Sequence, residues 1–182
     1  AWHHFDMASA RYALVDVGGG SAEIVTAVGS HIENIHSLEL GAIYLTERFL
    51  KQDPIPEIDF KRLRHHIRKA LHKNLNGNDY AAQCLIGSGG TLNAIGNVVM
   101  GMRGEQYDSV HGYEVLRSEV VHLLAMLQRK TLKERKTLTG LSPERAEIIV
   151  AGVTVVDELM RLLGANILKI NERGIREGLI LK

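Results

Sequence analysis

Between Tyr12 and Glu23 the chain reads YALVDVGGGSAE. An apolar run ends at Asp16, three glycines follow at Gly18, Gly19 and Gly20, and then come a hydroxyl at Ser21 and a second carboxylate at Glu23. Two carboxylates flanking a glycine run suit phosphate chemistry. Glycines at positive φ turn successive backbone N–H groups into one concavity that holds an anion, and this conformation is expected of Gly18 to Gly20. Phosphate and bare carboxylates repel one another, so acids at such a nest imply a divalent cation or an activated water. A glycine-rich hairpin turn that holds no ligand would use the same residues.

A second glycine loop, Gly87-Ser88-Gly89-Gly90-Thr91, follows the apolar run Tyr80 to Ile86 and precedes Leu92, Ile95, Val98 and Val99 at helical spacing. Strand, glycine loop and helix in that order aim backbone donors and the positive helix end at an anion. No lysine follows the loop and the glycines lack the dinucleotide spacing, so it is neither of those two standard phosphate motifs.

Both loops need elements to hold them. Ala22 to Val28 reads as a strand, Gly29-Ser30 as a two-residue turn and Ile32 to Leu40 as the next strand, which with the Tyr12 run makes an antiparallel meander. Gly41 breaks the third strand, and Ile43 to Leu50 is predicted to be a short helix closed at Asp53-Pro54. From Glu57 to Leu75, Phe60, Leu63, Ile67, Ala70, Leu71 and Leu75 mark one face of an amphipathic helix, ended by Asn76-Gly77-Asn78. Its opposite face is basic, with Arg64, Arg68, Lys69 and Lys73 among others, and reads as a solvated face or a polyanion contact. Further on, Ser118 is expected to cap a helix over Val120 to Leu127, and Thr131 to Arg135 forms a short turn. Ser142-Pro143 opens a long helix that carries Ala146 to Leu163 and stops at Gly164. Asn166 to Ile170 is a buried strand and Gly174 to Leu181 a closing helix.

A chain of 182 residues, 45% hydrophobic and 24% charged, can bury one full core. Residues 1–10 read as a hinge or the edge of an expressed fragment, and residues 11–182 as a single α/β domain. Lys and Arg number 22 against 21 Asp and Glu, so net charge exerts no general pull toward nucleic acid or a membrane surface. No apolar run approaches the roughly 18 residues a spanning helix needs. The single cysteine, Cys84, lies in an apolar segment and suits a reducing compartment, which places the protein in the cytoplasm.

Four motifs in order carry a resemblance: DVGGGSAE at Asp16 to Glu23, GSGGT at Gly87 to Thr91, GLSPERAEIIVAG at Gly140 to Gly152, and GIREGLI at Gly174 to Ile180. Over nearly its whole length the chain resembles the second domain of the catalytic module in the exopolyphosphatase/guanosine pentaphosphate phosphohydrolase (Ppx/GppA) family. The resemblance implies a ribonuclease H-like fold of the actin, Hsp70 and sugar kinase superfamily, with a five-stranded mixed sheet and helices on both faces. It implies Mg²⁺ as the metal, held by Asp16 with Glu23, and polyphosphate or pppGpp as the substrate. Gly18, Gly19, Gly20 and Ser21 would donate to phosphate oxygens from one side, and Ser88, Gly89, Gly90 and Thr91 from the other. Glu23 would position or polarise the attacking water. Arg145 would either reach the site or pair with Glu144 or Glu147.

Family members also carry a homologous N-terminal lobe that supplies a catalytic glutamate and an arginine. Neither has a counterpart in these residues, so the chain reads as an excised second lobe, inactive alone and completed by that lobe. Oligomeric state is left open, a homodimer included. Two other readings use the same fold: the ATP-binding lobe of a sugar kinase or ATPase, and a non-catalytic partner-binding domain. The first would need an adenine-binding segment that cannot be identified, and the second would be expected to have lost the acids and glycines.

Overall fold

A computed structural model of the chain describes residues 10–75 and 81–174. Three strands, β1 (Arg11–Val17), β2 (Ala22–Val28) and β3 (His31–Leu38), form the antiparallel meander. Gly29 takes φ +55°, the geometry the tight β2–β3 turn requires. β4 (Cys84–Ser88) and β6 (Ile167–Asn171) extend the sheet parallel to β1. With β5 (Glu114–Leu116), the sheet has six strands among the described residues, in the order β3-β2-β1-β4-β6-β5, where five were expected. The extra strand has only three residues and too polar a sequence to stand out. It is held by antiparallel pairing to β6 and by the fully buried Val115.

Helices α1 (Ala42–Phe49), α2 (Glu57–Asn74), α3 (Gly90–Met102), α4 (Arg117–Arg129), α5 (Leu132–Lys136) and α6 (Ile149–Leu163) complete the described chain. α3 lies on the sheet because glycines let it come close: a Cβ on Gly87 would sit 2.5 Å from Leu92 Cδ1, and one on Gly96 3.0 Å from Ile170. α6 is buried almost throughout and packs against α1, α2, α3 and α4. The closing helix expected from Gly174 to Leu181 lies, beyond Gly174, outside the described residues, as does the α2 cap at Asn76-Gly77-Asn78. No described helix is long and apolar enough to cross a membrane.

Three expectations need correction. The helix predicted from Ser142 is interrupted: Pro143–Arg145 form a 3-10 turn, Ser142 makes no side-chain cap, and the α-helix begins at Ile149. Ser118 does not cap α4, which starts one residue earlier; the Glu119 carboxylate takes the Leu116 N–H at 2.9 Å instead. The basic face of α2 is solvated as expected at Lys61, Arg62, His65, Lys69, His72 and Lys73, but the half-buried Arg64 and Arg68 turn to α6. Arg68 donates twice to Glu158 Oε atoms, at 3.0 and 2.9 Å, and Arg64 reaches Asp157 at 3.2 Å. Both acids are buried in α6, where an unpaired carboxylate would be costly, so these arginines neutralise the core instead of facing a polyanion.

Candidate functional site

Asp16 is the strand neighbour of both loops. Across the antiparallel ladder it is paired with Glu23, and across the parallel ladder with Ser88. Glu23 is paired in turn with Ser37, and Ser88 with Asn171. Paired residues present their side chains on one face, so Asn171, Ser88, Asp16, Glu23 and Ser37 make a polar row across five strands. The row lies at the carboxyl ends of β1, β4 and β6, the edge at which open α/β sheets take ligands. Both glycine turns border this edge and line one cleft of about 520 Å³ through Gly18, Gly19, Gly90 and Thr91. That meeting of the turns is what their placement after separate strands leads one to expect.

The first turn is built differently from a positive-φ nest. None of Gly18, Gly19 and Gly20 has positive φ, and the Gly18 N–H is taken by the Ser21 carbonyl at 2.9 Å. The turn offers its carbonyls to the start of α1: Ala42 N–H donates to Gly18 O at 2.9 Å, Ile43 and Tyr44 to Gly19 O at 3.0 Å, and Gly41 to Gly20 O at 3.2 Å. Glycine is needed here for close approach. A Cβ on Gly41 would collide with the Gly19 carbonyl, while one on Gly20 would meet nothing within 4 Å. The turn therefore fills the donor end of α1. Among the described residues, the N–H groups of Gly19 and Gly20 have no acceptor.

The second turn keeps its donors open. Gly89 takes φ +89° as the N-cap of α3, and among the described residues that helix has no side-chain cap. Gly89 must stay a glycine on a second count, because a Cβ there would lie 2.5 Å from Asp16 Oδ1. The start of α3 thus faces the cleft with its first N–H groups and positive end beside a carboxylate. Ser88 is buried beneath, its Oγ without a hydrogen-bond partner among the described residues. Thr91 is held from behind by Gly152, where a Cβ would be 2.6 Å from its Cγ2.

Glu23 and Arg145 settle in contrasting ways. The Glu23 carboxylate accepts from Ser21 Oγ at 2.7 Å and from Ser37 Oγ at 3.4 Å, so the Ser21 hydroxyl is committed to the acid rather than directed at a ligand. Neither Glu23 nor Ser21 is among the residues lining the cleft. Arg145 does line it. The break between the 3-10 turn and α6 throws its guanidinium across the backbone of Gly90, into the space a Cβ there would occupy. Among the described residues it pairs with neither Glu144 nor Glu147. Asp16 lines the cleft too, while sequence reasoning missed Ile43, Ser142, Glu144 and Ile148, which also border it. Only their place beside Gly41 and within the Gly140 motif marked them.

The sequence profile described as the Ppx/GppA phosphatase family matches residues 1–182. This chain belongs to that family. It is similar to exopolyphosphatase 2 of Mycobacterium tuberculosis, 31% identical over 96% of this chain and 56% of that protein. It is also similar to exopolyphosphatase 1 of Mycobacterium leprae, 29% identical over 98% of this chain and 53% of that protein. The chain therefore spans about half the length of these relatives. Among solved structures, the Ppx/GppA family member of Aquifex aeolicus superposes with a TM-score of 0.81 at 25% identity, covering 94% of this chain and 55% of that one. An exopolyphosphatase from Cytophaga hutchinsonii shares the fold, with a TM-score of 0.84 at 22% identity over 96% of this chain and 57% of that one. The Ppx/GppA chain thus has the ribonuclease H-like, actin-type fold, with β5 added to the five expected strands.

The donor set bears on the metal expected for the family. Asp16 and Glu23 offer hard oxygen donors from paired strand positions. No group of three or more His, Cys, Asp or Glu among the described residues could enclose a metal. One or two carboxylates, with phosphate oxygens and waters completing the shell, is the way Mg²⁺ is usually held, so these residues fit it.

Proposed function

We propose that this Ppx/GppA domain binds the terminal phosphates of a phosphoanhydride substrate, polyphosphate or pppGpp, as one wall of a hydrolytic cleft whose other wall is an N-terminal lobe. The observation that carries the reading is the open start of α3. At the cleft, the start of α1 is filled by carbonyls of residues 18–20, while among the described residues the first N–H groups of α3, beside Arg145, have no acceptor. An anion is the group that both features accommodate.

In this reading the free N–H groups of Gly19, Gly20, Gly90 and Thr91 receive phosphate oxygens, and Arg145 offsets the charge that spreads over the phosphoryl group in transfer. Asp16, with Glu23, would hold Mg²⁺, which when bound would neutralise phosphate charge. Glu23, its carboxylate held by two serine hydroxyls, is the residue assigned to position or polarise the attacking water. Ser21 acts on that acid, and Ser88 Oγ is a buried reserve donor or acceptor under the loop. The site lies in the cytoplasm, and half of it should turn over substrate poorly, because alignment and water exclusion require both walls.

A thermal-shift panel with polyphosphate, pppGpp and ATP, each with and without Mg²⁺, tests the reading. Ligand at 100 times its dissociation constant stabilises by about 2.7 kcal/mol, a rise of several degrees for a chain of this size. A Mg²⁺-dependent rise with polyphosphate or pppGpp, lost in Asp16→Asn, is the expected result. A rise with ATP alone would instead indicate a kinase or ATPase lobe.

A further inference from the structure

Arg135 lies in α5, outside the cleft, and is only 3% exposed. Its Nη1 donates to the carbonyl of Ala146 at 2.8 Å, and its Nη2 lies 3.6 Å from Asp53 Oδ1. The same Asp53 oxygen accepts the Leu132 N–H at 2.9 Å, which ties the start of α5 to the loop after α1. Ala146 is itself fully buried and follows Arg145 directly. Its carbonyl falls in the gap between the 3-10 turn and α6, where among the described residues no backbone N–H takes it. A buried carbonyl without a donor is costly, and so is a buried guanidinium without acceptors. Each group makes the other tolerable only while the 143–146 turn stays where it is.

We propose that Arg135 is a positioning residue for the phosphate site: from behind the 143–146 turn, it fixes Ala146 and so holds the Arg145 guanidinium over Gly90. The claim rests on the reading of the cleft as a phosphate site. Arg135 touches neither the cleft nor any ligand. Its planar fork spans two acceptors at once, Ala146 O and Asp53 Oδ1, which the single ammonium of a lysine cannot do in the same geometry. α5 has five residues and the turn three, so neither is long enough to be rigid by itself.

The test uses Arg135→Met, Arg135→Lys, Arg145→Ala and the double variant Arg135→Met/Arg145→Ala in the 182-residue chain. The first readout is structural. The position of the Arg145 guanidinium, from a crystal structure or from its Nε–H resonance, should leave Gly90 in Arg135→Met and return in part in Arg135→Lys. If Arg145 stays over Gly90 in the folded Arg135→Met protein, the proposal is wrong. The second readout is tripolyphosphate affinity measured with Mg²⁺. Arg135→Met and Arg145→Ala should each weaken binding by roughly 10-fold, and the double variant no further, because one residue acts through the other. Losses that multiply in the double variant would show that Arg135 serves only general stability and would overturn the proposal. Should the wild-type chain fail to bind tripolyphosphate, the phosphate reading falls, while the Arg145 position still decides the positioning claim. Should Arg135→Met not fold, Arg135→Lys carries both readouts: unchanged Arg145 geometry and unchanged affinity there would equally contradict it.

Discussion

A Cβ placed on Gly89 would lie 2.5 Å from Oδ1 of Asp16, so the second glycine loop and the first carboxylate can coexist only because residue 89 has no side chain. The contact sets the Asp16 carboxylate at the end of β1 beside the first turn of α3. Gly89→Ala combines this collision with φ +89°, and a strained non-glycine residue of this kind costs about 1–3 kcal/mol. Chemical denaturation should show a loss in that range, and Mg²⁺-dependent binding of tripolyphosphate should fall with it.

The glycines of the first turn should separate by packing rather than by φ. Gly41→Ala drives a Cβ into the backbone of Gly19, and loss of more than about 2 kcal/mol is expected because neither partner can yield without shifting α1. Gly20→Ala meets open space and should change stability by no more than about 0.5 kcal/mol. Gly19→Val should abolish phosphate binding by pushing Ile43, whose Cδ1 would lie 3.0 Å from the new Cβ. Pairing it with Ile43→Ala should restore part of the lost binding in a tripolyphosphate titration.

Glu23→Gln keeps the shape of the side chain and its place between the Ser21 and Ser37 hydroxyls but removes the charge. In this domain joined to the N-terminal lobe of a Ppx/GppA relative, turnover should fall by about 10² to 10⁴, the usual worth of a positioned acid or base. Substrate affinity should change far less, since the lost group acts mainly in the transition state. Phosphate release under single-turnover and steady-state conditions measures the two separately.

Much of this architecture is legible in the residues because local signals agree with the global fold. The meander, the strand before each glycine loop and the stop at Gly164 all follow from turn chemistry and period. What stays hidden depends on distant partners. β5 exists only because β6 pairs with it. The basic face of α2 looks like a solvated stripe until Asp157 and Glu158 of α6 come against Arg64 and Arg68. Ser142-Pro143 is a sound helix start by composition, yet the chain makes one 3-10 turn and restarts at Ile149, with Arg135 from another helix holding Ala146 in the gap. The three glycines after Asp16 suggest a nest, but the α1 start takes their carbonyls, a choice that lies in Gly41 and the path of the following helix.

One ion pair gives a pH dependence with a defined sign. The Arg103 guanidinium, donating from Nε to Glu119 at 2.7 Å, holds the Glu119 carboxyl below its ordinary 4.5, and the bond from Leu116 N–H adds to this against burial. A lowered folded-state value stabilises the protein above the unfolded pKa and is lost as pH falls through the folded one. Glu119→Gln should therefore lower stability by about 1 kcal/mol at neutral pH. The wild-type and variant stabilities should converge on acidification below pH 4.5, which urea unfolding at a series of pH values would show.

The most direct test of the phosphate cleft is to titrate the ¹⁵N-labelled chain with tripolyphosphate in the presence of Mg²⁺ and follow every backbone amide. The account predicts saturable shifts centred on Gly19, Gly20, Gly89, Gly90 and Thr91, with the Arg145 side chain responding at the same ligand concentration, and all of them lost in Asp16→Asn. Shifts centred instead on the exposed basic residues of α2, such as Lys69 and Lys73, and unaffected by Asp16→Asn would contradict it.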